Sequence, residues 1–417
     1  MLRRLSTALG KIEILKSKKG ISTCLFRRTA LILTGVTLAA ASMAFAQDTV
    51  IPMSNGPRSK YKFTIIKDNA ATGVKNQYHS GTCWCFSSQS FLESEIMRMG
   101  KGPIDLSEMF VVHNLYLDKA QHYMRYQGHT QFGEGGEPHD VIDAVREYGI
   151  VPKSAYSGLP EGETKPELSN MDEALKAMLD VLLKAPEGHL NPNWFKAFEG
   201  ALDGFMGKPP AEFTYAGKTY TPKSFAQYLG INPDDYVEIT SFTHHPFYQK
   251  FILEVPDNWA NAEVYNVPLT DLHAITDNAL KNGYTVEWGA DVSEKGFSWK
   301  NSIAIVPTAS MEDMYPGTPQ YDSVFENPVP QDSITQQMRQ EAFDNLATTD
   351  DHGMQITGLA KDQNGDEFYI VKNSWGANRN FCKGYLYVSS PYFLYKTTSI
   401  MVNKNSIPKD IRKKLGL

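Results

Sequence analysis

Cysteine is scarce in this chain, with four residues in 417. An exported protein held together by disulfides carries more, in an even number. Two of the four, Cys83 and Cys85, stand one tryptophan apart in NQYHSGTCWCFSSQSF, residues 76–91. Metal-ligand patterns are missing as well. The ten histidines include no H-E-x-x-H or similar spacing, so neither a metal nor another cofactor is expected. No basic stripe stands out, which argues against a nucleic-acid partner. No internal repeat is found.

What is present begins with an export signature. Residues 1–46 hold eight Lys or Arg and one Glu, followed by uncharged TALILTGVTLAAASMAFA, which ends in Ala44-Phe45-Ala46. That order of basic, apolar and small-x-small segments reads as a signal peptide, with a periplasmic or secreted mature protein and no stable membrane association after cleavage. The apolar run is marginal in length for a membrane span, and a retained N-terminal anchor is the alternative. Removing those residues takes eight of the 41 basic and one of the 47 acidic side chains, so the net charge falls from −6 to −13. Cys24 leaves with the signal. Cys83, Cys85 and Cys382 remain, and an odd cysteine outside the cell suggests a free thiol with a task.

The remaining chain is long enough to bury a large core, as one big domain or two. Residues 47–160 read as a lead-in with strand character in KFTII, then helices. Cys85, Ser88, Leu92, Ile96 and Met99 recur at helical spacing from about Cys83, and Gly100 can stop that helix. Ser107 is a candidate N-cap for the next, and PHDVIDAVREYG is a third. Residues 161–280 keep a largely helical but irregular pattern. Residues 281–400 switch to short β-like runs, YTVEWGADV, MQITGLA, EFYIVKN and GYLYVSS, with Asn364-Gly365 as a turn. A basic helical tail, KDIRKKLGL, closes residues 401–417. Helices first and a sheet last is an α+β order.

The chemistry concentrates around Cys83. A thiolate attacks a carbonyl carbon, a thiol does not. Cys83 stands where the turn YHSGT gives way to a helix, whose N-terminal N–H groups and dipole favour the thiolate. Gly81 lets that turn close. Gln77 lies six residues earlier, so its amide could return over the turn and donate to an oxyanion beside the Cys83 N–H. A base is also required. His352 opens a β-like run that turns at Asn364-Gly365 and returns to Asn373, which brings the two near each other. The arms are unequal, so a bulge or longer loop is needed. The Asn373 oxygen could then fix the imidazole, and Trp375 could cover that bond from water.

N-Q-x-x-S-G-x-C-W-x-F together with the distant N-S-W-G resembles the papain-type cysteine peptidases. LSEMFVVHNLYLDKAQ, GGEPHDVIDAVREYGIVPKSAY, VEWGADVSEKGF, DHGMQITG and KNSWG are similar to the bleomycin hydrolase and aminopeptidase C branch. The resemblance covers residues 76 to about 390. It implies a two-lobed papain-like fold with a large helical insertion, peptide substrates and, by analogy, a homo-hexamer. It places the nucleophile on Cys83, the oxyanion glutamine on Gln77, the base on His352 and the orienting asparagine on Asn373. Gly135 and Gly136 match the glycine pair that offers backbone hydrogen bonds to substrate, and Trp375 joins them as a substrate-side residue. An ordinary loop is the other reading of the glycines.

Plainer readings stand beside several of these. Cys85 is expected in the core, with a disulfide to Cys382 as the alternative. Glu134 and Glu137 flank the glycines; a solvated acidic loop is expected there, and attraction of a substrate's amino terminus is the other reading. His113 is expected in the core or an interface. The branch's C-terminal arm, which makes its members aminopeptidases, has no match here. Either the tail substitutes for it or the cleft is open to longer peptides. An inactive peptide-binding relative is the non-enzymatic alternative.

Overall fold

The structure, a computed structural model, describes residues 50–160, 162–184 and 189–417. The signal expected at residues 1–46 lies outside them. Strand β1 (Thr64–Asp68) leads in, and helices α1 (Cys83–Arg98), α2 (Glu108–Arg125) and α3 (Pro138–Glu147) follow. The Ser107 hydroxyl accepts from the Phe110 N–H at 3.1 Å, so it caps α2 as expected. Pro138 opens α3, and the Glu137 N–H donates to Asp140 Oδ2 at 2.8 Å, closing its first turn. Helices α4 (Ser169–Leu182) and α5 (Trp194–Met206), a β2–β3 hairpin (Phe213–Tyr215, Lys218–Tyr220) and α6 (Pro222–Leu229) complete a helical lobe with one continuous apolar core.

The second lobe is an eleven-stranded, mostly antiparallel sheet. Its strands are β4 (Tyr236–Thr240), β5 (Lys250–Ile252), β6 (Glu263–Asn266), β7 (Val286–Ala290), β8 (Phe297–Ser298), β9 (Ile303–Ala304), β10 (His352–Lys361), β11 (Glu367–Lys372), β12 (Tyr385–Ser389) and β13 (Thr397–Asn403), with β1 on β10. Helix α7 (Leu269–Lys281) packs on it. The α+β class expected from the order of elements is met. The largely helical reading of residues 161–280 is corrected: β2 to β6 fall inside it, and β4, β5 and β6 extend the main sheet. These strands are three to five residues long, and β5 and β6 alternate with exposed positions, too short for a clear period of two. The basic tail expected at residues 401–417 is helical only at its end. Met401, Val402 and Asn403 end β13, and a short helix α8 (Lys409–Lys414) buries Ile411 and Leu415.

Helix α1 lies between the lobes. Thirteen of its sixteen residues are buried, so it is covered on all sides instead of along one stripe. Phe91, Leu92 and Ile96 enter the helical core. Its serines face the sheet: Ser87 Oγ donates to Glu287 Oε1 at 2.7 Å and Ser90 Oγ to Gln355 Oε1 at 2.6 Å, while Gln355 Nε2 donates to Ser94 Oγ at 2.8 Å. Alternation along β10 sends Gly353 and Gln355 to α1, and Met354 and Ile356 to the other face. There they share a core with Leu272 and Ile275 of α7 and with Ile411 and Leu415.

Gly353 sets how closely the strand approaches the helix. A Cβ there would lie 2.6 Å from Ser87 Oγ and 3.1 Å from the Trp84 Cα. Gly353→Ala is expected to cost about 1–3 kcal/mol in urea unfolding, because backbone must shift. Gly200→Ala, on the exposed side of α5 with nothing within 4 Å of the new carbon, is expected to stabilise by about 0.5–1 kcal/mol through helix propensity.

Candidate active site

Cys83 is half-buried at the first position of α1. The N-cap Thr82 makes no side-chain capping bond; its hydroxyl pairs with Ser80 Oγ at 2.7 Å. The first helical N–H groups are thereby left for the site. The N–H of Trp84 and that of Gly353 both point to the Cys83 sulfur. Burial pushes this thiol up to about 12, those two donors pull it back, and Asp350 adds to the rise. The thiolate preference expected from the helix end is present as donors, but in the unliganded protein desolvation outweighs it.

The imidazole of His352 is held from the other lobe. His352 is 5 % exposed and Asn373 2 %. His352 Nε2 and Asn373 Oδ1 are 2.7 Å apart, and the same oxygen accepts from the Ser374 N–H at 2.6 Å. An amide oxygen only accepts, so Nε2 carries the hydrogen and Nδ1 of the neutral ring is the bare nitrogen. Burial pushes the imidazole down to about 4, partly offset by the Asn373 bond and the charge of Asp351. Gln355 pairs with Lys372, and a bulge between Ile356 and Gly358 absorbs the unequal arms. Asn373 thus follows the end of the ladder and reaches back to His352. At the far turn Asp362 Oδ1 accepts from Asn364 N and Asp366 N at 2.8 and 3.0 Å. Trp375 lies 4.7 Å, ring to ring, from His352 and is half-buried over it.

Gln77 is fixed at both ends of its amide. Nε2 donates to the Ser80 carbonyl at 2.8 Å, and Oε1 accepts from Ser374 Oγ at 2.6 Å. Its backbone N–H donates to the Ser374 carbonyl at 2.8 Å, and Gly376 N–H to the Lys75 carbonyl at 3.0 Å. The lead-in is therefore zipped to the Asn373 loop. Tyr78 takes a left-handed φ of +51° to make the turn. These bonds gather Gln77, His352 and Asn373 around the Ser374 turn, and Cys83 stands against Gly353, the residue after His352.

Gly135 and Gly136 stand beside it, and close contacts account for both. A Cβ on Gly135 would lie 2.3 Å from each carboxylate oxygen of Asp257, and one on Gly136 2.9 Å from the Trp84 ring. The buried Lys119 ammonium donates to the Gly133 and Gly135 carbonyls. Glu134 accepts from the Gly81 N–H, and its carbonyl accepts from Trp84 Nε1 at 2.9 Å, so it ties the nucleophile's turn to the glycine loop. The solvated-loop expectation fails for Glu137, which is 2 % exposed. Its carboxyl meets that of Asp350, and both are raised, first by burial and then by neighbouring acids. Sequence reasoning missed this pair. Asp350 stands two residues before His352, but nothing local marks its partner.

Cys85 and Cys382 are unpaired and buried in different cores, their thiols directed to the Glu108 and Ser54 carbonyls at 3.4 Å. His113 is buried, with Nε2 2.9 Å from Asp203 Oδ1. Among the described residues no helix is long and apolar enough to cross a membrane.

Comparison with known proteins agrees with this architecture. The model of the peptidase C1-like family matches residues 202–416. Aminopeptidase G of Lactobacillus delbrueckii subsp. lactis is 24 % identical, over 88 % of this chain and 89 % of its own length. Aminopeptidase C of the same organism is 22 % identical, over 82 % and 81 %. Cysteine proteinase 1, mitochondrial, of Saccharomyces cerevisiae is 23 % identical, over 84 % and 79 %. The crystal structure of PepW from Lactobacillus rhamnosis superposes with a TM-score of 0.65 at 20 % identity, covering 94 % of this chain and 92 % of that one, so the fold is shared. A thiol at a helix start, an imidazole fixed by an asparagine on the facing sheet, and a family model spanning just over half the sequence converge: the chain belongs to the peptidase C1-like family.

Proposed function

We propose that this cysteine peptidase cleaves peptide bonds through a Cys83 thioester, with His352 as base and acid and Asn373 as the group that orients it. The observation carrying the proposal is the meeting of two lobes at one sulfur: the backbone N–H of Gly353, the residue after His352, favours the Cys83 thiolate while Asn373 fixes the ring. Both groups rest neutral, so the proton leaves sulfur for Nδ1 as the substrate carbonyl arrives. The Gln77 amide retains a second N–H beyond the one on Ser80, and with the Cys83 N–H it supplies two donors for the tetrahedral oxyanion. The imidazolium then protonates the leaving amine. Water, deprotonated by His352, hydrolyses the thioester, and carboxylic acid departs as the thiol is restored.

Relatives named aminopeptidases favour removal of N-terminal residues. A second reading, internal cleavage, is favoured by one observation: Ile411 and Leu415 are buried in the apolar core of the sheet lobe, which ties residues 409–417 to that lobe. The sequence of residues 1–46 supports action in the periplasm or outside the cell.

Cys83→Ala is expected to abolish turnover and labelling by an epoxide inhibitor of cysteine peptidases. Turnover by a folded Cys83→Ala variant would contradict the proposal. Asn373→Ala is expected to lower kcat by about tenfold to a hundredfold with a small change in KM, since orientation and not binding is lost. His352 also predicts a pH effect on stability. Its value is lowered to about 4 in the fold, so between that and its ordinary 6.5 the unfolded chain binds more protons. Its contribution is present above pH 6.5 and lost as pH falls towards 4, by up to about 3 kcal/mol. Urea unfolding of His352→Gln, compared with wild type across pH 4 to 7, is expected to lack that slice of acid sensitivity.

A further inference from the structure

Two carboxyl groups from opposite lobes meet beside Cys83. Glu137 follows the glycine pair, and Asp350 precedes His352 by two residues. Their side chains are in hydrogen-bond reach, and burial with neighbouring acids raises both, which favours a proton held between them. Glu137 is 2 % exposed, and its Oε1 finds no donor among the described residues. The charges that act most on Glu137 are Asp350, Glu238 and Asp140; those on Asp350 are Asp257, Glu238 and Asp351. All are acidic.

The nearby bases are engaged elsewhere. His139 Nδ1 is 2.7 Å from Glu238 Oε2, and its Nε2 is 3.7 Å from Asp140 Oδ1. Lys119 serves the Gly133 and Gly135 carbonyls. Asp351 differs from its neighbour: it accepts from Val292 N, Ser293 N and Thr349 Oγ1 at 2.7 to 3.1 Å, which anchors the loop. Asp350 is half-exposed and has no such role. Asp350 and Asp257 both act on the Cys83 thiol, so the uncompensated charge borders the place where the substrate's reacting carbon must sit. An acid pair of this kind, with Glu137 buried and Asp350 half-exposed, is satisfied by an ammonium or guanidinium that replaces the shared proton and gives each carboxylate a charged donor.

We propose that Glu137 and Asp350 form a subsite for a positive group of the peptide substrate. This rests on the peptidase reading above. Two sources carry the same chemistry: the free α-amino group, or a Lys or Arg side chain. The first would let an internal carboxyl pair select N-terminal residues without any C-terminal segment in the cleft.

The test is a set of fluorogenic peptides: one neutral sequence with its amino terminus free or acetylated, and an acetylated sequence with Lys or norleucine near the cleaved bond. Wild type, Glu137→Gln and Asp350→Asn are compared at equal concentrations of epoxide-titrated Cys83. Wild type is expected to favour the charged member of at least one pair by about tenfold to a hundredfold in kcat/KM, the size of a hydrogen bond to a charged group. Each variant is expected to bring that ratio close to one. Loss of cleavage on acetylation identifies the amino terminus as the cation, and retention with Lys identifies the side chain. No charge preference in wild type, or a ratio that both variants leave intact, overturns the subsite. Failure of the epoxide to titrate wild-type Cys83 sinks the peptidase reading instead.

Discussion

The approach of β10 to α1 at Gly353 is the contact on which the site depends. One strand carries His352, one helix carries Cys83, and they come from lobes with separate cores. Hydrophobic burial alone would hold two lobes together without fixing their register, because it is non-directional. Here the register is set by polar pairs, Ser87 with Glu287 and Ser90 with Gln355, which are costly to leave unmade when buried. The missing side chain at Gly353 then lets its N–H reach the Cys83 sulfur.

Burial gives the site its electrostatic character. It suppresses charge on the isolated thiol and on the isolated imidazole. In the proposed mechanism charge is created on both only when the proton moves between them, and then the two stabilise each other in a low-dielectric gap. Around that gap the protein collects Glu137, Asp350, Asp257, Glu238 and Glu287, against a smaller number of engaged bases. The imbalance is expensive in the free protein and suits a cationic visitor.

Much of the site was legible before the fold, for local reasons. The turn before Cys83, the cap at Ser107 and the Asn364-Gly365 reversal each depend on a few consecutive residues whose backbone demands are readable. His352 and Asn373 could be joined because one hairpin connects them, although the bulge at Ile356–Gly358 could not be placed. Strands β4, β5 and β6 were missed because so few residues alternate in each, and their pairing with β13 and with one another is decided by tertiary context. The Glu137–Asp350 contact joins two loops far apart in sequence. Glu137 resembled a solvated loop residue, and only packing of the sheet lobe against it buries the carboxyl. The fate of the C-terminal residues was likewise a packing outcome: Ile411 and Leu415 supply the apolar side of a helix whose basic residues dominate its sequence.

The most direct measurement of the central claim, that Cys83 and His352 act as one proton-sharing pair, is the pH dependence of Cys83 alkylation by a neutral haloacetamide. Wild type is predicted to react over a broad plateau, with an acid limb below the ordinary histidine value of about 6.5. His352→Ala is predicted to lose the plateau and rise only at alkaline pH, as an isolated buried thiol would. Superimposable profiles for the two proteins would contradict the account.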